Sequence, residues 1–234
     1  MKHKHFFLCI YGWTFWLPIL VAGTVGMVTL GVLAASAGGG LLWVLFWLTV
    51  VVTFAGLAFF RDFHRSAPAP TAQAMMLAPA DGTVTEITRL EHFEPFGGPA
   101  LRVGIFLSVL DVHVNRVPCD GQIVATAYQP GLFLDARHPE SGKKNQSHMI
   151  VLGSLQAGDH HPVAAVKQIV GAIARRIIAP VEIGDTFARG ERFGMIAFGS
   201  RTELYVPHPD SWEPLVHTGR HVKAGSTIVL RARR

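Results

Sequence analysis

Charge is nearly absent from the first quarter of this 234-residue chain. Residues 1–60 carry Lys2 and Lys4 and no other formally charged side chain, while all 16 acidic residues and 19 of the 21 lysines and arginines lie in 61–234. That excludes a water-soluble globule throughout, and a 50% apolar composition excludes a disordered chain. Cysteine is also scarce. Cys9 sits in an apolar run and Cys119 follows a proline, too few for a disulfide scaffold and consistent with a reducing compartment. There is no phosphate-cradling glycine loop and no zinc-finger spacing, which argues against nucleotide and nucleic-acid partners. His160-His161 beside a Gly-Asp pair and Pro162 reads as a polar turn, and Asp111-x-His113 lacks well-spaced partners, so no metal site is expected. A long amphipathic helical period is missing too, residues 165–178 being the ambiguous stretch.

What is present divides in two. Apolar stretches cover 13–35 and 41–60, separated by Ser36-Ala37-Gly38-Gly39-Gly40. A helix needs roughly 20 residues to cross a ~30 Å hydrocarbon core, so each can span. Trp13, Trp16, Trp43 and Trp47 are aromatics of the interfacial kind. Lys2 and Lys4 precede the first span, Arg61 and Arg65 follow the second, and the loop between is uncharged. The positive-inside bias therefore predicts a two-helix transmembrane hairpin over 1–65 with both flanks cytoplasmic. A signal peptide cut near 35–37 is the competing reading, but its apolar region would far exceed the usual ~7–15 residues.

Residues 66–74, opening with Ser66-Ala67-Pro68-Ala69-Pro70, read as a linker. Beyond them the chain reads as short strands at 82–89, 100–108, 121–128, 148–155, 164–169, 175–179, 193–198, 202–206 and 226–231, rich in Val, Ile, Thr and Phe and punctuated by glycine. The expectation is a mainly β domain over 75–234, large enough for a real core. The turns at Asp81-Gly82, Asp120-Gly121 and Ala224-Gly225 resemble those of lipoyl/biotinyl-type β-sandwich domains. The resemblance concerns fold alone, because the carrier lysine those domains need is absent from these turns.

The most informative stretch is Gly190-Glu191-Arg192-Phe193-Gly194-Met195-Ile196-Ala197-Phe198-Gly199-Ser200-Arg201, an apolar strand ending in a Gly-Ser peptide. Glycine leaves its carbonyl open to the next side chain. The Ser200 hydroxyl can add to the Gly199 carbonyl, moving the chain from amide to ester. Removal of the Ser200 α-proton then expels the Gly199 carboxylate and leaves dehydroalanine. Hydrolysis with loss of ammonia gives a pyruvoyl group at the head of a new chain, 200–234. A Gly-Ser pair by itself is far more often a turn.

The context is what distinguishes it. This stretch, Gln168-Ile169-Val170-Gly171 upstream, Asp111-Val112-His113-Val114-Asn115-Arg116-Val117-Pro118 and Ala78-Pro79-Ala80-Asp81-Gly82 together resemble the phosphatidylserine decarboxylase proenzymes, in particular the short, membrane-anchored bacterial ones. The resemblance implies self-cleavage between Gly199 and Ser200 into chains 1–199 and 200–234, with Ser200 the precursor of a pyruvoyl cofactor. It further implies that His113 and Asp81 complete a Ser-His-Asp set for maturation, with the histidine taking the hydroxyl proton. Alone, Asp81 would read as a turn former and His113 as a hydrogen-bonded core histidine. The implied reaction is decarboxylation of phosphatidylserine to phosphatidylethanolamine at the inner membrane, on its cytoplasmic side, with the anionic lipid and the membrane as partners. A homo-oligomer is left open.

Two departures matter. Arg116 stands where many members carry a second histidine, and of the family's Asn-Glu-Arg-Asn run only Asn145 matches, with Ser147 and His148 in place of its arginine and last asparagine. Arg116 and Asn145 are the candidate substrate contacts. A related amino-lipid substrate remains an alternative, as does a non-catalytic membrane-anchored β-sandwich adaptor.

Overall fold

In a computed structural model the chain separates into two compact units, residues 1–63 and 64–234. The structure describes residues 7–69, 74–155, 161–172, 176–197 and 200–233.

The first unit is built from helices α1 (Trp13–Ala37) and α2 (Gly40–Phe59). Gly38 ends α1 at φ 66°, a left-handed geometry that suits glycine and turns the chain back. Small residues bring the two helices close: a Cβ at Gly23 would lie 2.3 Å from Thr53 Oγ1, and one at Gly56 3.3 Å from Ile19. The Thr24, Thr49 and Thr53 hydroxyls donate to carbonyls one turn back, at 2.7–2.9 Å, so each helix satisfies its own polar groups. The valines, by contrast, face outward: Val25, Val28, Val32, Val44, Val51 and Val52 are all more than half exposed. Both helices are long and apolar enough to cross a membrane.

The second unit is mainly β. Its strands in chain order are β1 (Met75–Leu77), β2 (Gly82–Phe93), β3 (Gly98–Leu107), β4 (Val114–Arg116), β5 (Gly121–Gln129), β6 (Ser147–Gly153) and β7 (Pro162–Val170). After these come β8 (Arg176–Ile178), β9 (Thr186–Phe187), β10 (Arg192–Ala197), β11 (Ser200–Pro207), β12 (Trp212–Pro214), β13 (His221–Val222) and β14 (Ile228–Ala232). Among the described residues the largest sheet is antiparallel, in the order β13-β2-β3-β11-β7-β6-β5-β9. Two three-stranded sheets, β1-β14-β12 and β4-β10-β8, complete it. A four-residue helix, α3 (Ser141–Lys144), lies in the loop between β5 and β6.

Period-two alternation explains the layering. On β3, Val103, Ile105 and Leu107 are buried on one face while Arg102 and Phe106 take the other. The core gathers Val84, Ile105, Ile123, Leu152, Val166 and Leu204, all fully buried. The ambiguous stretch 165–178 opens as strand β7 because its neighbours β6 and β11 pair with it over their lengths. Two residues at the junction of the expected hairpin (1–65) and linker (66–74) meet the β unit. Arg65 is bonded into the β unit, and Ala67 lies where a Gly190 Cβ would touch it at 3.3 Å.

Candidate active site

β11 is central in the large sheet and begins at Ser200, which pairs with Leu107 of β3 on one side and Val170 of β7 on the other. Gly199, the other half of the expected cleavage site, lies outside the described residues. Ser200 is wholly buried, and its Oγ has no hydrogen-bond partner among the described residues. Burying a hydroxyl in this way costs about 1–3 kcal/mol relative to a satisfied one. Two residues along the same face, Thr202 is satisfied: Asn115 Nδ2 donates to its Oγ1 at 3.0 Å, and Gln168 Nε2 donates to Asn115 Oδ1 at 2.7 Å. This chain of amides ties β11, β4 and β7 together just below the serine.

The same network holds the Asp81 turn. Pro79 O accepts from the Arg116 N–H at 2.9 Å and from Asn115 Nδ2 at 3.4 Å. Gly82 follows at φ 144°, and a Cβ there would come within 2.1 Å of the Phe106 carbonyl, so only glycine lets the turn approach β3 one residue before Leu107. Asp81 is gripped on both oxygens. The Arg65 guanidinium forks onto it, with Nη2 2.7 Å from Oδ2 and Nη1 on Oδ1, and the Ala224 N–H donates to Oδ1 at 2.8 Å. Arg65 Nη1 also donates to the Ala224 carbonyl at 3.0 Å. Both side chains are nearly buried, at 10% and 7% exposure, a setting in which an ion pair persists only with such geometry.

His113 is buried at the start of the 113–116 segment, and its carbonyl accepts from the Ile196 N–H of β10 at 3.2 Å. Its Nδ1 lies 2.9 Å from the Asp111 main-chain carbonyl. A carbonyl can only accept, so Nδ1 carries the proton, and in the neutral ring Nε2 is left as the basic nitrogen. The group that orients His113 is thus the Asp111 backbone. Asp81 bonds instead to Arg65 and Ala224, so the structure brings the three expected residues to one end of the sheet without joining Asp81 to His113 by a hydrogen bond.

Asp111 is in turn fixed by Ser108, whose N–H and Oγ donate to Oδ2 at 2.8 and 2.7 Å, and by His221, whose Nε2 donates to Oδ1 at 2.9 Å. Burial acts to raise the Asp111 carboxyl, but the hydrogen bonds from His221 and Ser108 outweigh it and hold the group below its usual range. Burial, with Asp120 beside it, pushes the Cys119 thiol up to about 12, which removes it as a nucleophile at neutral pH.

The two candidate substrate contacts are internally engaged. Arg116 is buried, with Nη1 donating to the Gly190 carbonyl at 2.9 Å. Asn145 is fully buried: Oδ1 accepts from the Leu134 N–H at 2.9 Å, and Nδ2 donates to the Leu134 and Val170 carbonyls at 2.8 Å each. Because Val170 pairs with Ser200, Asn145 pins the 130–146 loop beside the serine. Sequence reasoning missed Arg65, Ser108, His221 and the Asn115–Gln168 pair. Ser108 bonds Asp111 three residues on, a spacing common to many turns, while the partners of the others lie 16 to 159 residues away, where no local spacing signals them.

A mainly β unit that begins a central strand with a buried serine, unsatisfied among the described residues, and also holds a buried histidine in a fixed tautomer and two clamped carboxylates, has the make-up of an enzyme. Residues 56–230 match the family model described as phosphatidylserine decarboxylase. Curated relatives carry the name phosphatidylserine decarboxylase proenzyme. The chain is 43% identical over 204 residues to that of Salinibacter ruber, covering 82% of this chain and 86% of the relative. It is 43% identical over 205 residues to that of Gluconacetobacter diazotrophicus, covering 85% and 88%. With that of Rhodopirellula baltica it shares 40% over 205 residues, covering 86% and 80%. The chain belongs to the phosphatidylserine decarboxylase family.

Proposed function

We propose that this chain matures by cleaving itself between Gly199 and Ser200 and then decarboxylates phosphatidylserine to phosphatidylethanolamine. The observation that carries the reading is the buried Ser200 Oγ without a hydrogen-bond partner among the described residues, at the position where the family resemblance puts the pyruvoyl precursor. A hydroxyl left unsatisfied in a core is a liability unless chemistry consumes it. The residues present therefore fit a pyruvoyl group made from Ser200, and that group supplies the electron sink for losing CO₂ from the serine head group.

The chain's own residues have separable tasks. His113 Nε2 takes the Ser200 hydroxyl proton as Oγ adds to the Gly199 carbonyl, and the Asp111 carbonyl keeps the ring in the required tautomer. Asp81, gripped by Arg65 and the Ala224 N–H, fixes the turn beside β3 against which the site is built, and the family resemblance gives it a part in maturation. Arg116 and Asn145 brace the site, through Gly190 and Val170 respectively, and hold its walls in register. After maturation His113 is the proton donor to the decarboxylated carbon. The depth of Ser200 keeps water out during that step.

The finer fold is a lipoyl/biotinyl-type sandwich, supported by the glycine turns at Gly82 and Gly225, which take φ 144° and 68°. The two apolar helices form a transmembrane hairpin, and the charge pattern of their flanks puts the β unit on the cytoplasmic side of the inner membrane. Family membership displaces the adaptor reading. The test is lipid analysis of a strain lacking the gene. Phosphatidylserine should accumulate and be cleared by the wild-type chain but not by Ser200→Ala. Accumulation of a different amino-lipid would reassign the substrate.

A further inference from the structure

The end of the sheet that holds Ser200 carries an apolar fringe. The pairings Leu107–Ser200, Ser200–Val170, Ile169–Ser147 and Ser147–Gln129 gather the ends of β3, β11, β7, β6 and β5 at one edge. Two loops project from it. The loop after β3 carries Val109 and Leu110, exposed by 49% and 83%. The loop after β5 carries Leu132 and Phe133, exposed by 53% and 40%. A lone exposed leucine is ordinary on a soluble surface. Four apolar side chains on two loops flanking one buried reactive serine form a patch of the kind that marks an interaction site.

Both loops are held open by their own bonds. Asp111 accepts from the Ser108 N–H and Oγ while its own N–H donates to the Ser108 carbonyl at 3.0 Å, which closes a tight turn with Val109 and Leu110 at its tip. In the longer loop the Leu132 N–H donates to the Lys144 carbonyl at 2.7 Å and the Gln146 N–H to the Leu132 carbonyl at 3.0 Å, with Asn145 riveting Leu134 to Val170. The apolar tips therefore stay presented to the surroundings. Lys143, exposed on α3 of that loop, has no acidic partner among the described residues and offers a cation to a phosphate.

We infer that these two loops are a bilayer-docking rim. Val109, Leu110, Leu132 and Phe133 enter the boundary between head groups and acyl chains, about 5–10 Å deep, and Lys143 meets a lipid phosphate. The substrate's acyl chains then stay in apolar surroundings while its head group reaches Ser200. The inference rests on the lipid-substrate reading above and adds the surface through which that lipid is taken.

The opposite end of the sheet supplies the control. Ile183 is 67% exposed and sits where β5 begins, the Gly184 N–H donating to the Ile123 carbonyl at 2.8 Å and Gln122 Nε2 to the Gly184 carbonyl at 2.9 Å. The test uses the full chain in nanodiscs of phosphatidylserine and phosphatidylcholine, with Cys9→Ala and Cys119→Ala as background. Leu110→Cys, Phe133→Cys and Ile183→Cys are each labelled with an environment-sensitive fluorophore, and nitroxide is carried on the lipid acyl chains. Labels at 110 and 133 should lose most of their emission and the label at 183 should keep it. Quenching at 110 and 133 no greater than at 183 overturns the docking rim. Formation of phosphatidylethanolamine, followed in the same discs, keeps the two readings apart. Product without selective quenching removes the rim alone, and selective quenching without product retains the rim and removes the substrate assignment.

Discussion

The two faces of β11 handle buried polar groups in opposite ways. On one face Arg201 Nε donates to Glu203 Oε1 at 2.8 Å, Arg201 also pairs with Glu86, Arg102 reaches Glu86 at 2.9 Å, and the Tyr205 hydroxyl bonds Glu203. Each of these charges has a counter-charge, and Glu203 is 1% exposed. Burial, with Glu203 nearby, pushes the Tyr205 phenol far up, so it keeps its proton and donates it to Glu203. On the other face Thr202 is satisfied by Asn115, and Ser200 Oγ has nothing among the described residues. One strand thus carries a charge-paired structural network on one face and an open end on the other. Arg102 Nε and Gln168 Oε1 are also buried without a partner among the described residues, but each belongs to a side chain bonded through its other polar atoms, whereas the single polar atom of the Ser200 side chain has none.

Substitutions can break this contrast, and the largest effect is expected at the open end. Ser200→Ala should abolish processing completely, yet leave thermal stability unchanged or raised by up to about 1 kcal/mol, because it deletes an unsatisfied hydroxyl. Full-length chain on a denaturing gel and a melting curve on the same sample read both. A large loss of stability would mean that Ser200 belongs to the structural side. His113→Ala should slow processing by about 10²–10⁴-fold, the range of a lost general base. The time course of chain cleavage after refolding measures it.

On the charge-paired face the sign reverses. Glu203→Ala removes one of the two carboxylates that hold Arg201 and the acceptor of the Tyr205 hydroxyl, and should lower stability by about 1–3 kcal/mol, read by denaturant titration, while cleavage still proceeds at reduced temperature. Arg65→Ala sits between the two cases. It leaves Asp81 as a buried unpaired carboxylate, so stability and processing should fall together, with Arg65→Lys restoring part of both. Full-rate processing in Arg65→Ala would show that the clamp on Asp81 is structural only.

The smallest effect concerns Asp111. Its carboxyl is held below the ordinary 3.8 in the folded protein, so its contribution is fully present above that pH and disappears as pH falls through the lower folded value. Asp111→Asn should therefore be less stable than wild type near neutrality by no more than about 1 kcal/mol, given partial solvent screening. The gap should close in acid. Melting temperatures from pH 7 to pH 3 follow it, and a constant gap would contradict the assignment.

The strands with enough residues to show alternation were legible in the sequence: the stretches expected at 82–89, 100–108, 121–128 and 202–206 are the cores of β2, β3, β5 and β11. The two- and three-residue strands β1, β4, β9, β12 and β13 were not, because so short a run has no period. They exist through partners such as Arg231 opposite Met75 or Arg192 opposite Arg116. At the site, Ser200, His113 and Asp81 could be named from motifs, but their partners could not. Arg65 lies in a stretch that reads as the end of an anchor and the start of a linker, and its bond to Asp81 depends on how the chain passes the Ala224 turn. The orientation of His113 by a main-chain carbonyl is invisible to any side-chain pattern.

Intact mass of the purified full-length protein tests the central claim most directly. Self-cleavage at Gly199-Ser200 predicts two chains, 199 and 35 residues long, the smaller bearing a pyruvoyl group and resisting amino-terminal degradation. A single uncleaved chain of 234 residues in material that forms phosphatidylethanolamine would contradict it.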